Sequence, residues 1–292
     1  MLFTGKNIME YVAPKTAIEA SKALVQDGAF ALAGGTDLLV KLKTKFVSPS
    51  VVVDIKQVPK ITSIEESTDG WWIGAATPCA EIVEHESLHR DWPGVVEALS
   101  LIGSTQIQGR ATLGGNLCNA SPAADSVPAL IAANGTCIIS GQTGEREEPI
   151  ENIVVSPGAT VLKKGEFILG FKLPKPQSGS GDAYLRLIPR SEMDIAVVGA
   201  GASVSVDKNK KITSIRISLG AIAPTQVTLN GLEDIFIGKE PDEDSINKLV
   251  SIAESACNPI KDKRGTIEYR TKIAGVLAKR TLTIAYERAT NH

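Results

Sequence analysis

Residues 111–125 of this chain read ATLGGNLCNASPAAD, and a second glycine pair stands upstream in residues 33–39, AGGTDLL. Each stretch runs from apolar residues through two glycines to a small polar residue, Thr36 or Asn116, and then returns to apolar residues. Glycine lets bare backbone approach a ligand, and successive backbone N–H groups can form a concave site for an anion such as a pyrophosphate. A glycine pair is also typical of a tight turn, so the pattern leaves a dinucleotide site and a pair of turns both open.

The composition bounds the class of protein. The chain has 292 residues, of which 43% are hydrophobic, and its net charge of -2 gives no bulk attraction to nucleic acid or anionic lipid. Its four cysteines stand far apart with no CxxC pair, which favours reduced thiols over a disulfide framework or a metal cluster. No apolar run is long enough to span a membrane, and residues 1–6 lack the layout of a signal peptide. We therefore expect a cytoplasmic globular protein of the α/β or α+β class.

Helix and strand signals alternate at the start of the chain and predict a small α/β unit. Residues 16–19, TAIE, form a capping box, which predicts a helix that stops at Gly28. Buried strands are expected at residues 29–33, 51–55 and 71–75 because these runs are short and apolar.

The centre of the chain predicts helices at residues 79–89, 93–101 and 125–133, and strands at residues 136–140 and 167–173. Residues 174–181, PKPQSGSG, have the composition of a linker, and we place the main domain boundary there.

Beyond the linker, strands are expected at residues 183–187, 196–206 and 212–219. From Asp242 the chain becomes helical and ends in an amphipathic helix from Ile267 to about Arg288. We expect that helix to pack a set of apolar side chains inward: Ile273, Val276, Leu277 and Ile284.

Three further signals favour structural interpretations. Residues 85–89, HESLH, satisfy the HExxH zinc pattern, but Pro93 ends the helix soon afterwards and the only later histidine is His292. Residues 199–201, GAG, lack the third glycine of a dinucleotide fingerprint and continue as alternating strand, which indicates close packing within a sheet. The Lys- and Arg-rich segment 261–288 has no aromatic interleaving, so an amphipathic helix explains it better than a nucleic-acid face.

Residues 33–39, 111–125 and 218–225, together with 268–277, resemble the FAD-binding medium subunit of the molybdenum hydroxylases, the xanthine dehydrogenase and carbon monoxide dehydrogenase family. The resemblance covers the whole chain. It implies an α+β fold, in which a two-part FAD-binding domain of the PCMH type precedes a smaller C-terminal domain built of a sheet and helices.

The resemblance also implies where the domains lie. The FAD-binding domain spans residues 1–176, with subdomains at about 1–57 and 58–176. Residues 177–182 form the linker, and residues 183–292 form the C-terminal domain.

By the same resemblance, two segments wrap the FAD pyrophosphate from opposite sides, and further residues contact the cofactor individually. Arg186 occupies a position that is commonly lysine in relatives. From the residues alone, Ile102 and Ile168 are better explained as core residues, and Asp125 as either a cofactor contact or a helix N-cap. The complete implied set is Ala31, Leu32, Ala33, Gly34, Gly35, Thr36, Asp37, Leu38, Ile102, Thr112, Leu113, Gly114, Gly115, Asn116, Asp125, Ile168 and Arg186.

The implied activity is electron transfer through non-covalent FAD, because Thr36 stands where a covalently linking histidine can stand in related flavoproteins. A large partner subunit would oxidise the substrate at its molybdenum cofactor, and a small subunit's 2Fe–2S clusters would pass electrons to this chain and on to an external acceptor. The resemblance predicts no catalytic residue and no metal ligand here, and it leaves the substrate and the acceptor open. The alternatives are a self-sufficient FAD-dependent oxidase or dehydrogenase and a non-catalytic nucleotide-binding or assembly protein.

Overall fold

The structure is a computed structural model that describes residues 9–191 and 193–291, so the start of the chain and His292 lie outside the described residues. The strands are β1 (Glu10–Val12), β2 (Ala29–Leu32), β3 (Val51–Asp54), β4 (Ile64–Ser67), β5 (Gly70–Gly74), β6 (Thr136–Gly141), β7 (Gly144–Pro149), β8 (Val154–Ser156), β9 (Ala159–Thr160), β10 (Phe167–Pro174), β11 (Ser180–Leu187), β12 (Val198–Val206), β13 (Ile212–Gly220) and β14 (Val227–Thr228). The helices are α1 (Ala17–Leu24), α2 (Leu38–Lys43), α3 (Cys79–Val83), α4 (Glu86–Asp91), α5 (Pro93–Ser100), α6 (Thr105–Gln108), α7 (Leu113–Cys118), α8 (Ser126–Ala132), α9 (Glu233–Phe236), α10 (Glu243–Ser255) and α11 (Ile267–Asn291). None of these described helices is long and apolar enough to cross a membrane.

The first sheet is parallel, in the order β1-β3-β2, and it ends at the first glycine pair. The capping box before α1 is confirmed, because the Thr16 side chain accepts a hydrogen bond from the Glu19 backbone N–H at 3.2 Å. The central strand β3 is buried, as predicted, and the strand predicted at residues 29–33 is present as β2, but the prediction that it is buried is wrong. Because β2 is an edge strand, Phe30 retains 37% exposure.

The second sheet is antiparallel, in the order β4-β5-β10-β6-β7, and short helices cover it. The continuous helix predicted at residues 79–89 is wrong, because it is divided into α3 and α4. The break falls at His85, whose side chain accepts a hydrogen bond from the Leu88 backbone N–H at 3.2 Å and so caps the start of α4.

The third sheet is antiparallel, in the order β11-β12-β13-β14, and helices cover both of its faces. On one face α8 lies so close to β12 that a Cβ on Gly201 would stand 2.6 Å from the Pro128 carbonyl oxygen. The predicted close packing at residues 199–201 is therefore a contact between this strand and α8. The opposite face packs against α11.

The inward face of α11 differs from the predicted one. Ile273, Val276 and Ile284 are only partly buried, whereas a row of mostly smaller residues faces the sheet. Small side chains let the helix axis approach the strands, and a Cβ on Gly181 would overlap the Ala285 carbonyl oxygen. The buried apolar row of α11 is Ala274, Leu277, Ala278, Leu282, Ala285 and Ala289.

Two hydrophobic cores underlie this architecture. One joins the first two sheets and their helices, and the other lies between the third sheet and α10 and α11. Tyr184 belongs to the first core and Ala183 to the second, since successive residues of β11 face opposite sides of the sheet. The fold is α+β, as predicted, and the numbered domain limits stay a prediction.

Candidate functional site

A cavity of about 350 Å³ lies between the two glycine pairs, bounded by β2, α2, α7 and β10. Its size falls within the usual range of small-molecule sites. Most of the residues predicted from the resemblance lie on its wall. They are Ala31, Ala33, Gly34, Gly35, Thr36, Asp37, Leu38, Ile102, Thr112, Gly114, Gly115, Asn116 and Ile168.

The first arm of the cavity is residues 33–38, which lead from the edge strand β2 into α2. Gly35 has a φ of +80°, a conformation that residues with a Cβ adopt only at a cost. The backbone N–H groups of residues 34–38 find no acceptor among the described residues. Gly34 is buried and residues 35, 36 and 38 are half-buried at the cavity wall, so this run of N–H groups can bind a ligand that carries acceptors.

The second arm is residues 112–116, and it is the capped first turn of α7 rather than the loop that the sequence predicted. The Thr112 side chain accepts a hydrogen bond from the Gly115 N–H at 3.1 Å, which fixes the start of the helix. The Gly114 N–H donates to the Ala75 carbonyl at 2.9 Å, and the Asn116 N–H donates to the Thr112 carbonyl at 2.9 Å. These backbone donors are therefore already used within the protein.

Side chains supply the donors of the second arm. The oxygen Oδ1 of Asn116 accepts a hydrogen bond from the Ser126 hydroxyl at 2.7 Å, which leaves the amide Nδ2 as a donor. Thr112 accepts with its oxygen and keeps its hydroxyl proton for another partner. The two arms thus present different chemistry to one cavity.

The first glycine of each pair allows close packing of one segment on another. A Cβ on Gly34 would overlap the Arg110 carbonyl oxygen, and a Cβ on Gly114 would lie 2.7 Å from the Ala75 carbonyl oxygen. Backbone atoms on both sides leave no room for a methyl group. Gly34 therefore fixes the distance between the first arm and the segment that leads into the second.

The apolar part of the wall comes from the protein core. Ile102 is 9% exposed and Ile168 is 2% exposed, and both border the cavity. The two interpretations left open by the sequence, core residue and contact surface, are therefore compatible at these positions.

Four predicted residues lie behind the wall. Leu113 is fully buried in the core, and Leu32 lies beneath Gly35. Asp125 and Arg186 pair with each other at 2.6 Å. Asp125 occupies the N-cap position of α8, as the sequence allowed, but its side chain makes no capping hydrogen bond and pairs with Arg186 instead.

The Asp125–Arg186 pair lies next to the second arm, because the neighbouring Ser126 bonds to Asn116. The Tyr184 hydroxyl donates to Asp125 at 2.9 Å. Burial raises the pKa of Asp125 to about 6, and Arg186 and Tyr184 act in the opposite direction. The Arg186 side chain is only 5% exposed, and its Nε has no partner among the described residues. A buried donor without an acceptor marks a point where a ligand can add one.

The structure adds residues to the wall that the sequence did not predict. Lys41 and Asn119 both border the cavity, and the Lys41 ammonium donates to Asn119 Oδ1 at 2.7 Å. Lys41 follows Asp37 by four residues, the spacing of one helical turn, which was the available signal. Glu166 is held by the Arg146 guanidinium through two contacts of 3.0 Å. Cys118 also borders the cavity, as an exposed free thiol.

The signals that favoured structural interpretations have structural partners. Besides capping α4, the His85 ring lies edge-on to the Trp71 ring, with centroids 5.3 Å apart. Within residues 9–191 and 193–291 no group of metal-binding side chains comes together. In the basic C-terminal segment, Arg270 is buried, and its guanidinium donates to the Val197 carbonyl and to Asp262, each at 2.7 Å.

Known proteins share both parts of this chain. A family model described as the FAD binding domain in molybdopterin dehydrogenase matches residues 7–176, and one described as the CO dehydrogenase flavoprotein C-terminal domain matches residues 183–285. The chain is 31% identical over 281 residues to the carbon monoxide dehydrogenase medium chain of Hydrogenophaga pseudoflava, covering 96% of this chain and 97% of that one. It is 28% identical over 259 residues to the xanthine dehydrogenase FAD-binding subunit of Escherichia coli, covering 87% of each. A chain of the solved carbon monoxide dehydrogenase from H. pseudoflava superposes with a TM-score of 0.91 at 29% identity, over 96% of this chain and 98% of that one.

Proposed function

Because the chain belongs to the family of FAD-binding subunits of molybdopterin dehydrogenases, we propose that it relays electrons within a multi-subunit molybdenum hydroxylase. Electrons would come from iron–sulfur clusters of a small partner subunit and leave through FAD for an external acceptor. The observation that carries this proposal is the row of unpaired backbone N–H groups at residues 34–38, facing a cavity of a size that suits a bound cofactor.

The residues present fit FAD. Its diphosphate needs several donors, and the first arm offers backbone donors while Arg146 neutralises Glu166 on the wall. Asp37, the other carboxylate of the wall, can accept from a ribose hydroxyl. The flavin ring needs apolar walls and a few donors for its carbonyl and nitrogen acceptors. Ile102 and Ile168 supply such walls, and the side chains of Thr112 and Asn116 supply donors.

We assign the residues of the first arm to one side of the diphosphate and the side chains of Thr112 and Asn116 to the other side. The bound cofactor supplies the redox chemistry, since FAD can exchange electrons singly or in pairs. The chain binds and orients it, and the buried Asp125–Arg186 pair supports the second arm from behind, through Ser126 and Asn116. Binding is non-covalent in this proposal, because Thr36 has no nucleophile suited to a flavin link.

The wall favours a relay over a self-sufficient oxidase. Its titratable side chains among the described residues are Asp37, Lys41, Cys118 and Glu166. Glu166 is held by Arg146 and Asp37 has no described partner that would set it up as a general base, so the described part of the wall contains no acid/base pair. Substrate oxidation therefore fits a separate subunit better than this cavity.

We infer two partners: a large subunit that carries the molybdenum cofactor and a small subunit that carries 2Fe–2S clusters. The names of the relatives support this, because "medium chain" describes one of three sizes of subunit. Those names also refer to substrates as different as carbon monoxide and xanthine, so the substrate is chosen outside this chain. A cytoplasmic location is part of the proposal, and its support is the four free cysteines.

Purification of the native complex tests the proposal. We expect the chain to co-purify with both partner subunits, and the flavin absorbance to bleach on substrate addition when the small subunit is present. Omitting the small subunit should leave the flavin oxidised. Turnover of an organic substrate by this chain alone would contradict the relay and support the oxidase.

A further inference from the structure

One side-chain contact joins the two halves of the cavity. Lys41 belongs to α2, which follows the first arm, and Asn119 is the C-cap of α7, which follows the second arm. The Lys41 Nζ donates to Asn119 Oδ1 at 2.7 Å, and both residues border the cavity. The contact therefore spans the cavity between residues 78 positions apart in the sequence.

The charge on Lys41 is not neutralised by the described protein. Lys41 is the one lysine or arginine among the described residues of the wall, and its only described partner is the neutral amide of Asn119. Asp37 lies one turn earlier but makes no ion pair with it, and Glu166 is already bound by Arg146. An ammonium has three donors, and Asn119 occupies one of them.

The position of Lys41 in its helix directs this charge towards the first arm. Side chains of a helix tilt towards its N-terminus, so a long side chain covers the turn before its own Cα. For Lys41 that turn contains residues 36–38, whose backbone N–H groups are free. Lys41 and the residues with these N–H groups therefore border the same cavity.

We propose that the Lys41 ammonium pairs with the diphosphate of FAD and that Asn119 holds the lysine side chain across the cavity in the pairing position. This proposal rests on the proposed function, since it takes the cavity to be the FAD site. A charge-assisted hydrogen bond between ammonium and phosphate is short and stronger than a neutral one. Lys41 is thus a positioning and retention residue for the ADP half of the cofactor.

The expected loss of FAD affinity follows from the strength of such a hydrogen bond. Replacing Lys41 with methionine keeps the length of the side chain and removes the charge, which should weaken FAD binding about tenfold. The loss should be smaller in high salt, because salt screens the pairing that the variant lacks. Lys43→Met is the matched control, because Lys43 is an exposed lysine of the same helix that does not border the cavity.

The experiment titrates the full-length apoprotein with FAD, with ADP and with riboflavin, for wild type, Lys41→Met, Lys41→Arg and Lys43→Met. We expect Lys41→Met to weaken FAD and ADP by a similar factor and to leave riboflavin unchanged, because riboflavin has no phosphate. Lys41→Arg should restore most of the affinity, and Lys43→Met should match wild type.

Three results would overturn the proposal. Equal affinities for Lys41→Met and Lys43→Met would show that the charge plays no part. Weaker riboflavin binding with unchanged ADP binding would place the lysine at the flavin ring. A lower melting temperature with unchanged affinity would make the contact structural only. If wild type itself fails to bind FAD, the proposed function fails, whereas FAD binding that is insensitive to Lys41 contradicts only this inference.

Discussion

The first arm enters the cavity from an exposed edge strand and turns at Gly35 with a φ of +80°. Its N–H groups at residues 34–38 have no acceptor within the part of the chain that the structure describes. The second arm enters as a capped helical turn whose donors at Gly114, Gly115 and Asn116 are bonded within the protein. The same sequence pattern therefore produces a backbone donor surface in one place and a rigid packing element in the other. The difference between the two arms comes from Thr112, whose side chain caps a helix that begins directly at the second glycine pair.

The two arms therefore have different roles in the cavity. We assign the anion-binding backbone to the first arm, and side-chain donors and packing to the second. Substitutions at equivalent positions of the two glycine pairs should then have unequal effects on stability and on FAD affinity.

The largest effect is expected for Gly34→Ala. A methyl group at Gly34 would overlap the Arg110 carbonyl oxygen, and neither backbone can move without separating the arms. We expect a loss of about 4 kcal/mol in the free energy of unfolding and no retained FAD. Urea unfolding measures the free energy of unfolding, and the flavin content of the purified protein measures the retained FAD. Gly109→Ala is the control, since the nearest atom to a Cβ there lies 3.8 Å away, and equal stability of the two variants would refute the packing argument.

Asp125→Asn comes next, because it breaks the buried pair with Arg186 behind the second arm. The expected cost is about 3 kcal/mol, since a buried guanidinium loses its counter-charge. The carboxyl has a pKa raised from 3.8 to about 6, so the folded state binds its proton more tightly than the unfolded state does.

The stability of the folded protein should therefore depend on pH. Asp125 should lower the stability of the wild type as pH rises from 3.8 to about 6, with no further change above that range. Thermal unfolding across this range should therefore show that wild type loses stability relative to Asp125→Asn. Parallel pH profiles would mean that Asp125 does not titrate as described.

Gly35→Ala should have a moderate effect. A φ of +80° costs a residue with a Cβ about 1–2 kcal/mol, and the turn that presents the free N–H groups would be distorted. Gly231→Ala is the matched control, because Gly231 has a φ of +75° and open space around it, outside the cavity. Both variants should lose the cost of the positive φ, and Gly35→Ala should lose more because its Cβ would lie 3.0 Å from the Leu32 side chain, while FAD affinity should fall only for Gly35→Ala. An equal loss of affinity in the control would remove the special role of the first arm.

The smallest effect is expected for Gly115→Ala. A Cβ there would meet only the Thr112 hydroxyl, at 2.9 Å, so the change weakens one cap at about 1 kcal/mol. FAD affinity should change less than in Gly35→Ala, because the Gly115 N–H is already bonded to Thr112. Calorimetric FAD titrations compare the two, and a larger loss for Gly115→Ala would reverse the assignment of the arms.

Local patterns predicted much of the fold. The capping box at residues 16–19, the strand β3 and the hairpin of β12 and β13 depend on residues close in sequence, and the structure contains them. The long motif at residues 111–125 was specific enough to indicate the family, and most of the residues implied by it border one cavity.

The remaining features depend on tertiary context. The exposure of β2 follows from its place at a sheet edge, which its apolar sequence does not encode. The inward face of α11 is set by how closely Gly181 lets the helix approach, so alanines face the sheet where larger residues were expected. Lys41 belongs to no recognisable motif. Its proposed role depends on the contact between α2 and the end of α7, which lie far apart in the sequence.

Amide chemical shifts test the division between the arms most directly. In the full-length protein labelled with ¹⁵N-glycine, the Gly34, Gly35, Gly114 and Gly115 resonances can be assigned from the alanine variants or by selective labelling. On addition of FAD, we predict large downfield shifts of the Gly34 and Gly35 amide protons, as they bond to the diphosphate, and small shifts for Gly114 and Gly115. Large downfield shifts at Gly114 and Gly115, with Gly34 and Gly35 unmoved, would contradict the account.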